Sequence, residues 1–175
     1  KSYDSKRYLD VGSGCGFPGL AYAITHPNSE INLIDSSRKK ILALEGIVKE
    51  MNLQNKINVI NDRIENFAHT SHFRHSFDIV TARAVSSPST VAEYLIPMLN
   101  KKGIGILYLG KHAVEDKQIL QKALSKLNGS IKETKRNYLP ANKGERNIIF
   151  IQSTESCSNI YPRGIGKPSK YPLGY

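Results

Sequence analysis

The chain has 175 residues, 39% hydrophobic and 23% charged, with a formal net charge of +10. Such a composition suits one ordinary globular domain that buries roughly 70% of its unfolded-chain surface. No apolar run reaches the roughly 18 to 20 residues of a membrane-spanning helix, no basic-then-apolar leader is present, and the excess of cations favours polyanionic partners such as nucleic acid or an anionic membrane surface.

Lys1 is followed within a few residues by a strand, as in a chain cut from a longer one. Arg7 to Val11 reads as a short buried strand, closed by the glycine-rich stretch Gly12-Ser13-Gly14-Cys15-Gly16. Pro18 suits a first helical turn, and Leu20, Ala23 and Ile24 give that helix an apolar face. Ile31 to Ile34 is the next strand. Ser36 or Ser37 then caps a helix whose Ile41, Leu44, Ile47, Val48 and Met51 recur at helical spacing. Further strands are expected at Ile57 to Ile60 and Phe77 to Thr81, with Phe67 to Ser76 as a polar loop between them. A helix around Thr90 to Leu99 precedes a strand at Ile104 to Leu109. Glu115 to Leu127 is amphipathic and stops at Asn128-Gly129. Two last strands, about Ile131 to Tyr138 and Asn147 to Gln152, have no helix between them.

Strands alternating with helices predict an α/β fold, a mostly parallel sheet covered on both faces. The last two strands should close it as an antiparallel hairpin, for seven strands in all. The expected organisation is one domain over residues 1–152 and a basic Pro/Gly/Tyr-containing tail over 153–175, irregular and without a core of its own.

Asp10 to Gly16 stands where a strand turns into a helix. Glycines are needed there because a Cβ would block the tight turn and the approach of a ligand. Asp35, 23 residues after Gly12, ends the second strand, where a carboxylate can accept both hydroxyls of a ribose. Dinucleotide enzymes and S-adenosylmethionine-dependent methyltransferases share this much. The spacing GxGxG and the acid Asp10 directly before it favour the methyltransferase: an acid there would repel a pyrophosphate but could help hold a cationic amino group. Asp62-Arg63-Ile64-Glu65, after the third strand, falls beside the expected adenine, and Arg83 ends the fourth strand on the same ligand-binding edge.

Asp10 to Leu20 (DVGSGCGFPGL), Asp35 to Ile41 (DSSRKKI) and Val80 to Val85 (VTARAV) resemble one family, the bacterial 16S ribosomal RNA guanine-N7 methyltransferases, also called glucose-inhibited division protein B. The tail, with Tyr161-Pro162-Arg163 and Gly166 to Leu173, is similar to that family's closing segment. The resemblance implies a Rossmann-like class I methyltransferase fold with S-adenosyl-L-methionine as cofactor. It implies cofactor contacts from Gly12, Phe17, Asp35, Ser36, Ser37, Ile64, Glu65 and Arg83. The implied reaction is methyl transfer to N7 of the guanine at about position 527 of 16S ribosomal RNA. Two departures stand out: the family's helical lead-in before the glycine loop is not in this sequence, and Gly110-Lys111-His112 replaces a more usual Lys-Gly pair.

Guanine N7 carries a free lone pair and no proton, so its methylation needs placement of the reactants and no general base. The sequence has neither an Asn/Asp-Pro-Pro-aromatic motif for exocyclic amines nor a Pro-Cys nucleophile for carbon-5 methylation. No acid–base catalyst is therefore nominated. Cys15 and Cys157 read as bystanders in a reducing, cytoplasmic setting, and the five histidines show no metal-ligand spacing, so no metal is expected. RNA, free or in a small-subunit particle, should meet Arg38, Lys39 and Lys40 at the start of the second helix, Lys111, and Arg163, Lys167 and Lys170 in the tail, with Tyr161, Tyr171 and Tyr175 available for base stacking. The chain is expected to act as a monomer. Two other readings stay open: a methyltransferase for another RNA, a protein or a small molecule, and a dinucleotide-binding oxidoreductase.

Overall fold

A computed structural model describes residues 7–110, 117–141 and 144–175. Seven strands form one sheet in the order β3-β2-β1-β4-β5-β7-β6. They are β1 (Arg7–Val11), β2 (Glu30–Asp35), β3 (Ile57–Asn61), β4 (Phe77–Arg83), β5 (Leu99–Leu109), β6 (Gly129–Tyr138) and β7 (Glu145–Ser153). The first five pair in parallel, while β7 runs antiparallel to both β5 and β6. The expected mostly parallel sheet with its closing hairpin is therefore present. The buried stretches of β1, β2 and β4 carry aliphatic residues on both faces, as strands covered by helices on both sides must.

The helices are α1 (Gly19–Thr25), α2 (Arg38–Glu50), α3 (Ile64–Phe67), α4 (Pro88–Leu95), α5 (Lys117–Lys126) and α6 (Lys167–Lys170). Several boundaries and faces differ from the sequence expectation, each for a local reason. Helix α4 stops at Leu95 because Pro97 has no N–H to continue it; a 3-10 turn over Ile96–Met98 follows, and β5 starts at Leu99 rather than Ile104. Its start is set by Ser87, whose hydroxyl accepts the Thr90 N–H, and by Pro88 in the first turn. Ile24, Ile47 and Met51 face solvent. The contact with the sheet is narrow enough to be filled by Leu20 and Ala23 on α1 and by Ile41, Leu44 and Val48 on α2. Ser37 is the cap position of α2, but its side chain makes no capping bond.

Two apolar layers flank the sheet. One holds α1 and α2 with Tyr8, Leu33 and Ile79. The larger holds α4 and α5 with Leu9, Val80, Leu107 and Ile151, and reaches Cys157 and Leu173 beyond the last strand. Residues 153–175, read as irregular and without a core of their own, pack onto the core of the body: Cys157, Pro162, Pro168 and Leu173 are buried. The segment is irregular apart from α6, yet it is fastened by long-range hydrogen bonds. The Arg74 guanidinium donates to the carbonyls of Tyr161, Cys157 and Ser158 at 2.7, 3.2 and 2.9 Å, and Thr90 Oγ1 donates to the Pro168 carbonyl at 3.0 Å.

Candidate functional site

Strand β1 pairs with β2 on one side and β4 on the other, so the chain reverses its strand order there and leaves a crevice at the carboxyl ends. Register places Val11 beside Ile34 and Ala82. The next residues of each strand, Gly12, Asp35 and Arg83, therefore emerge along one edge. A cleft of about 250 Å³ opens at this edge, walled by Gly12 of the glycine loop, by Asp35 and Ser36 after β2, and by Ala84 to Ser86 after β4.

The loop's sequence follows from its geometry. Gly12 has φ +70, and a Cβ there would stand 2.6 Å from Val85 Cγ2, inside the cleft wall; at Gly16, φ +94, a Cβ would meet Leu20 at 2.5 Å. The N–H groups of Gly12 and Ser13 both donate to the Ile34 carbonyl, at 2.9 and 3.0 Å, which ties the loop to β2. Beyond β4, Ala84 adopts φ +56, a left-handed conformation unusual for alanine, in the wall facing the loop.

Asp35 is almost fully buried, and each oxygen holds one backbone donor: Oδ2 the Gly14 N–H at 3.0 Å and Oδ1 the Ser37 N–H at 2.8 Å. A carboxylate has about four acceptor sites, so capacity remains toward the cleft for a pair of hydroxyls. Lys40 Nζ lies 4.0 Å from Oδ2 and shares the cleft wall.

Asp10 has a different position from the one its sequence neighbourhood suggested. It is 1% exposed and does not reach the cleft. Oδ2 accepts the Gly19 N–H at 3.1 Å, and Oδ1 accepts Thr81 Oγ1–H at 2.7 Å. Because that hydroxyl gives its proton to Asp10, the 2.7 Å contact between Tyr8 and Thr81 has Tyr8 as donor. Burial pushes the Asp10 carboxyl up to about 6, against the opposing pull of these donors and of Arg83. Its place is beneath the loop, holding the start of α1.

Of the eight residues expected around a cofactor, Gly12, Asp35, Ser36, Ile64 and Glu65 line the cleft, and Ser37 adjoins it through its bond to Asp35. Phe17 and Arg83 are not among the residues that wall the cleft. The Phe17 ring is 55% exposed, and its carbonyl accepts Arg83 Nε–H at 3.3 Å. Sequence reasoning passed over Val85, Ser86, Tyr94 and Ser169 as wall residues. The first two follow the TARA stretch and could have been read from it. Tyr94 on α4 and Ser169 in α6 reach the cleft only through tertiary docking.

Glu65 is also more committed than a free reader of a ring edge: its Oε1 accepts Tyr94 Oη–H at 3.2 Å and the Gly166 N–H at 3.1 Å. Burial pushes the Tyr94 phenol up to about 12, so it remains a donor at neutral pH.

Among the cations expected to meet RNA, Arg38, Lys39, Lys40, Lys167 and Lys170 are exposed. Arg63, exposed at the cleft rim, joins them. Arg163 does not: its Nε and Nη2 bind the two oxygens of fully buried Glu93 at 2.9 and 2.8 Å, and its backbone N–H adds a third bond at 2.8 Å. Lys111 lies outside the described residues. Of the tail tyrosines, Tyr161 packs against the core, while Tyr171 and Tyr175 are exposed.

Comparison with known proteins agrees with this layout. Residues 1–149 match the family model described as rRNA small subunit methyltransferase G. A protein of Prochlorococcus marinus strain MIT 9312, named ribosomal RNA small subunit methyltransferase G, is 61% identical over 172 residues, covering 98% of this chain and 73% of the relative. Its namesake in strain NATL2A is 50% identical, over 98% and 69%. Among solved structures, a putative methyltransferase from Thermoplasma acidophilum superposes with a TM-score of 0.68 at 15% identity, over 87% of this chain and 70% of that one. TrmK of M. capricolum, solved in complex with the cofactor product S-adenosylhomocysteine, gives 0.65 at 18% identity, over 86% and 63%. At those identities the likeness is one of fold, a class I methyltransferase fold.

Proposed function

Since the chain belongs to the rRNA small subunit methyltransferase G family, we propose that it transfers a methyl group from S-adenosylmethionine to N7 of a guanine in 16S ribosomal RNA. The observation that carries this reading is the cleft itself. A glycine whose Cβ would strike the opposite wall and a buried carboxylate with spare acceptor sites stand at the switch point of the sheet. These features fit an adenosyl group bearing two ribose hydroxyls.

On this reading Asp35 accepts the ribose hydroxyls and Gly12 permits close approach of the amino-acid end. Ser36, Ser37, Ile64 and Glu65 flank the adenosyl part. Arg83 holds the loop through its bond to the Phe17 carbonyl. When bound, S-adenosylmethionine supplies a methyl group on a positively charged sulfur. Guanine N7 has no proton to lose, so no residue need act as a base, and the protein contributes alignment of the reacting atoms. Asp10 serves that end at one remove by fixing Gly19 and hence the loop. RNA phosphates meet the exposed cations around the cleft, Arg38, Lys39 and Arg63 on one side and Lys167 and Lys170 on the other. A ribosomal RNA substrate supports a cytoplasmic setting for the reaction.

The test is transfer of labelled methyl to unmodified small-subunit RNA, free and in particles, followed by identification of the labelled base. Label on N7 of a single guanine is the expected result. A protein that binds S-adenosylmethionine yet labels neither form of the RNA would overturn the substrate assignment.

A further inference from the structure

The cleft has a wall that belongs to neither the glycine loop nor the sheet edge. Ser169, in the one-turn helix α6, lines it together with Tyr94 of α4. Three contacts from segments far apart in sequence bring Ser169 there. Arg163 grips Glu93, the Pro168 carbonyl accepts from Thr90, and the Gly166 N–H donates to Glu65.

The hydrogen-bond directions in this wall are determined. Tyr94 Oη gives its proton to Glu65 Oε1 at 3.2 Å. It therefore has no proton left for Ser169 Oγ, which stands 3.2 Å away, and the serine must be the donor in that pair. The chain Ser169 to Tyr94 to Glu65 leaves the serine oxygen with open lone pairs and no proton to offer. Such an atom accepts from an amine and disfavours another acceptor.

We propose that the closing segment is part of the cofactor site, and that Ser169, oriented through Tyr94 and Glu65, selects the 6-amino group of adenine in S-adenosylmethionine. The assignment rests on the reading that this cleft holds that cofactor. Adenine follows from position: besides Asp35, where the ribose would sit, the cleft is lined by Ile64, Glu65, Tyr94 and Ser169.

The experiment compares calorimetric binding of S-adenosylhomocysteine and S-inosylhomocysteine, in which a 6-oxo acceptor replaces the 6-amino donor. Wild-type protein should prefer the adenine compound by about tenfold or more, as expected when a hydrogen bond is exchanged for two opposed acceptors. Ser169→Ala should reduce that preference by about threefold or more, with a melting temperature close to that of wild type because Ser169 is exposed and the buried Pro168 is retained. Tyr94→Phe, which frees the serine proton to rotate toward a 6-oxo group, should reduce it likewise. A preference in Ser169→Ala equal to that of wild type overturns the assignment even if overall affinity falls. Failure of the wild-type protein to bind S-adenosylhomocysteine at all overturns the cofactor reading beneath it.

Discussion

Asp35 and Asp10 are both carboxylates at the carboxyl ends of adjacent parallel strands, yet their surroundings give them opposite duties. Asp35 faces the cleft with spare acceptor sites, so Asp35→Ala should weaken S-adenosylhomocysteine binding by about 1–3 kcal/mol through loss of charge-assisted hydrogen bonds. Calorimetry that finds affinity unchanged would sink the ribose assignment. Asp10 faces inward, and its effect should appear as pH-dependent stability. Its carboxyl rises from 3.8 to about 6 on folding, so the folded state holds the proton more tightly than the unfolded one. The resulting contribution is complete below about pH 4 and is lost as pH rises through about 6, a change of about 3 kcal/mol. Urea unfolding from pH 4 to 7.5 should therefore show wild type losing stability relative to Asp10→Asn over that interval; parallel curves would refute the inward role. The sequence made both acids visible by their spacing from the glycines. It could not separate them, because strand alternation turns Asp10 toward Thr81 and the start of α1.

The elements with strong local signals were legible: alternating strands and helices, Pro18 at a helix start, and Asn128-Gly129 at a helix stop. The closing segment was not, because its hold on the body depends on pairs 70 or more residues apart, such as Arg163 with Glu93 and Pro168 with Thr90. Composition rich in Ser, Gly, Pro and Lys looks solvated when those partners are unseen. Helix α4 makes the dependence mutual. All eight of its residues are buried, including Glu93, whose charge can be tolerated there only while three N–H donors hold it. Arg163→Ala should accordingly cost about 3–5 kcal/mol in urea unfolding, by leaving a buried carboxylate without its cation. Adding Glu93→Leu should recover much of that loss, since the destabilisation comes from the unpaired charge. If Arg163→Ala cost no more than an ordinary surface substitution, about 0.5 kcal/mol, the clamp would have no energetic standing.

At the scale of the molecule, the net charge of +10 foretold a polyanionic partner but not where it would sit. The fold gives cations that look alike in the sequence different duties. Arg74 and Arg163 are turned inward to fasten the closing segment. Lys40 stands in the wall of the cleft beside Asp35, although its sequence neighbours Arg38 and Lys39 made all three look alike. Arg38 and Lys39 remain exposed on the first turn of α2 without a place in the cleft, which makes them the pair that separates RNA docking from cofactor binding. Each phosphate contact to single-stranded nucleic acid adds about 0.7 to the slope of log affinity against log salt. Arg38→Glu with Lys39→Glu should thus flatten the salt dependence of small-subunit RNA binding by about 1–2 and weaken it most at low salt. Binding of S-adenosylhomocysteine should stay within about twofold of wild type, because neither residue is among those that line the cleft. An equal loss of both affinities would mean that this face of α2 serves the cleft rather than the RNA, while full RNA affinity with an unaltered slope would move the docking surface to Arg63 and the lysines of α6.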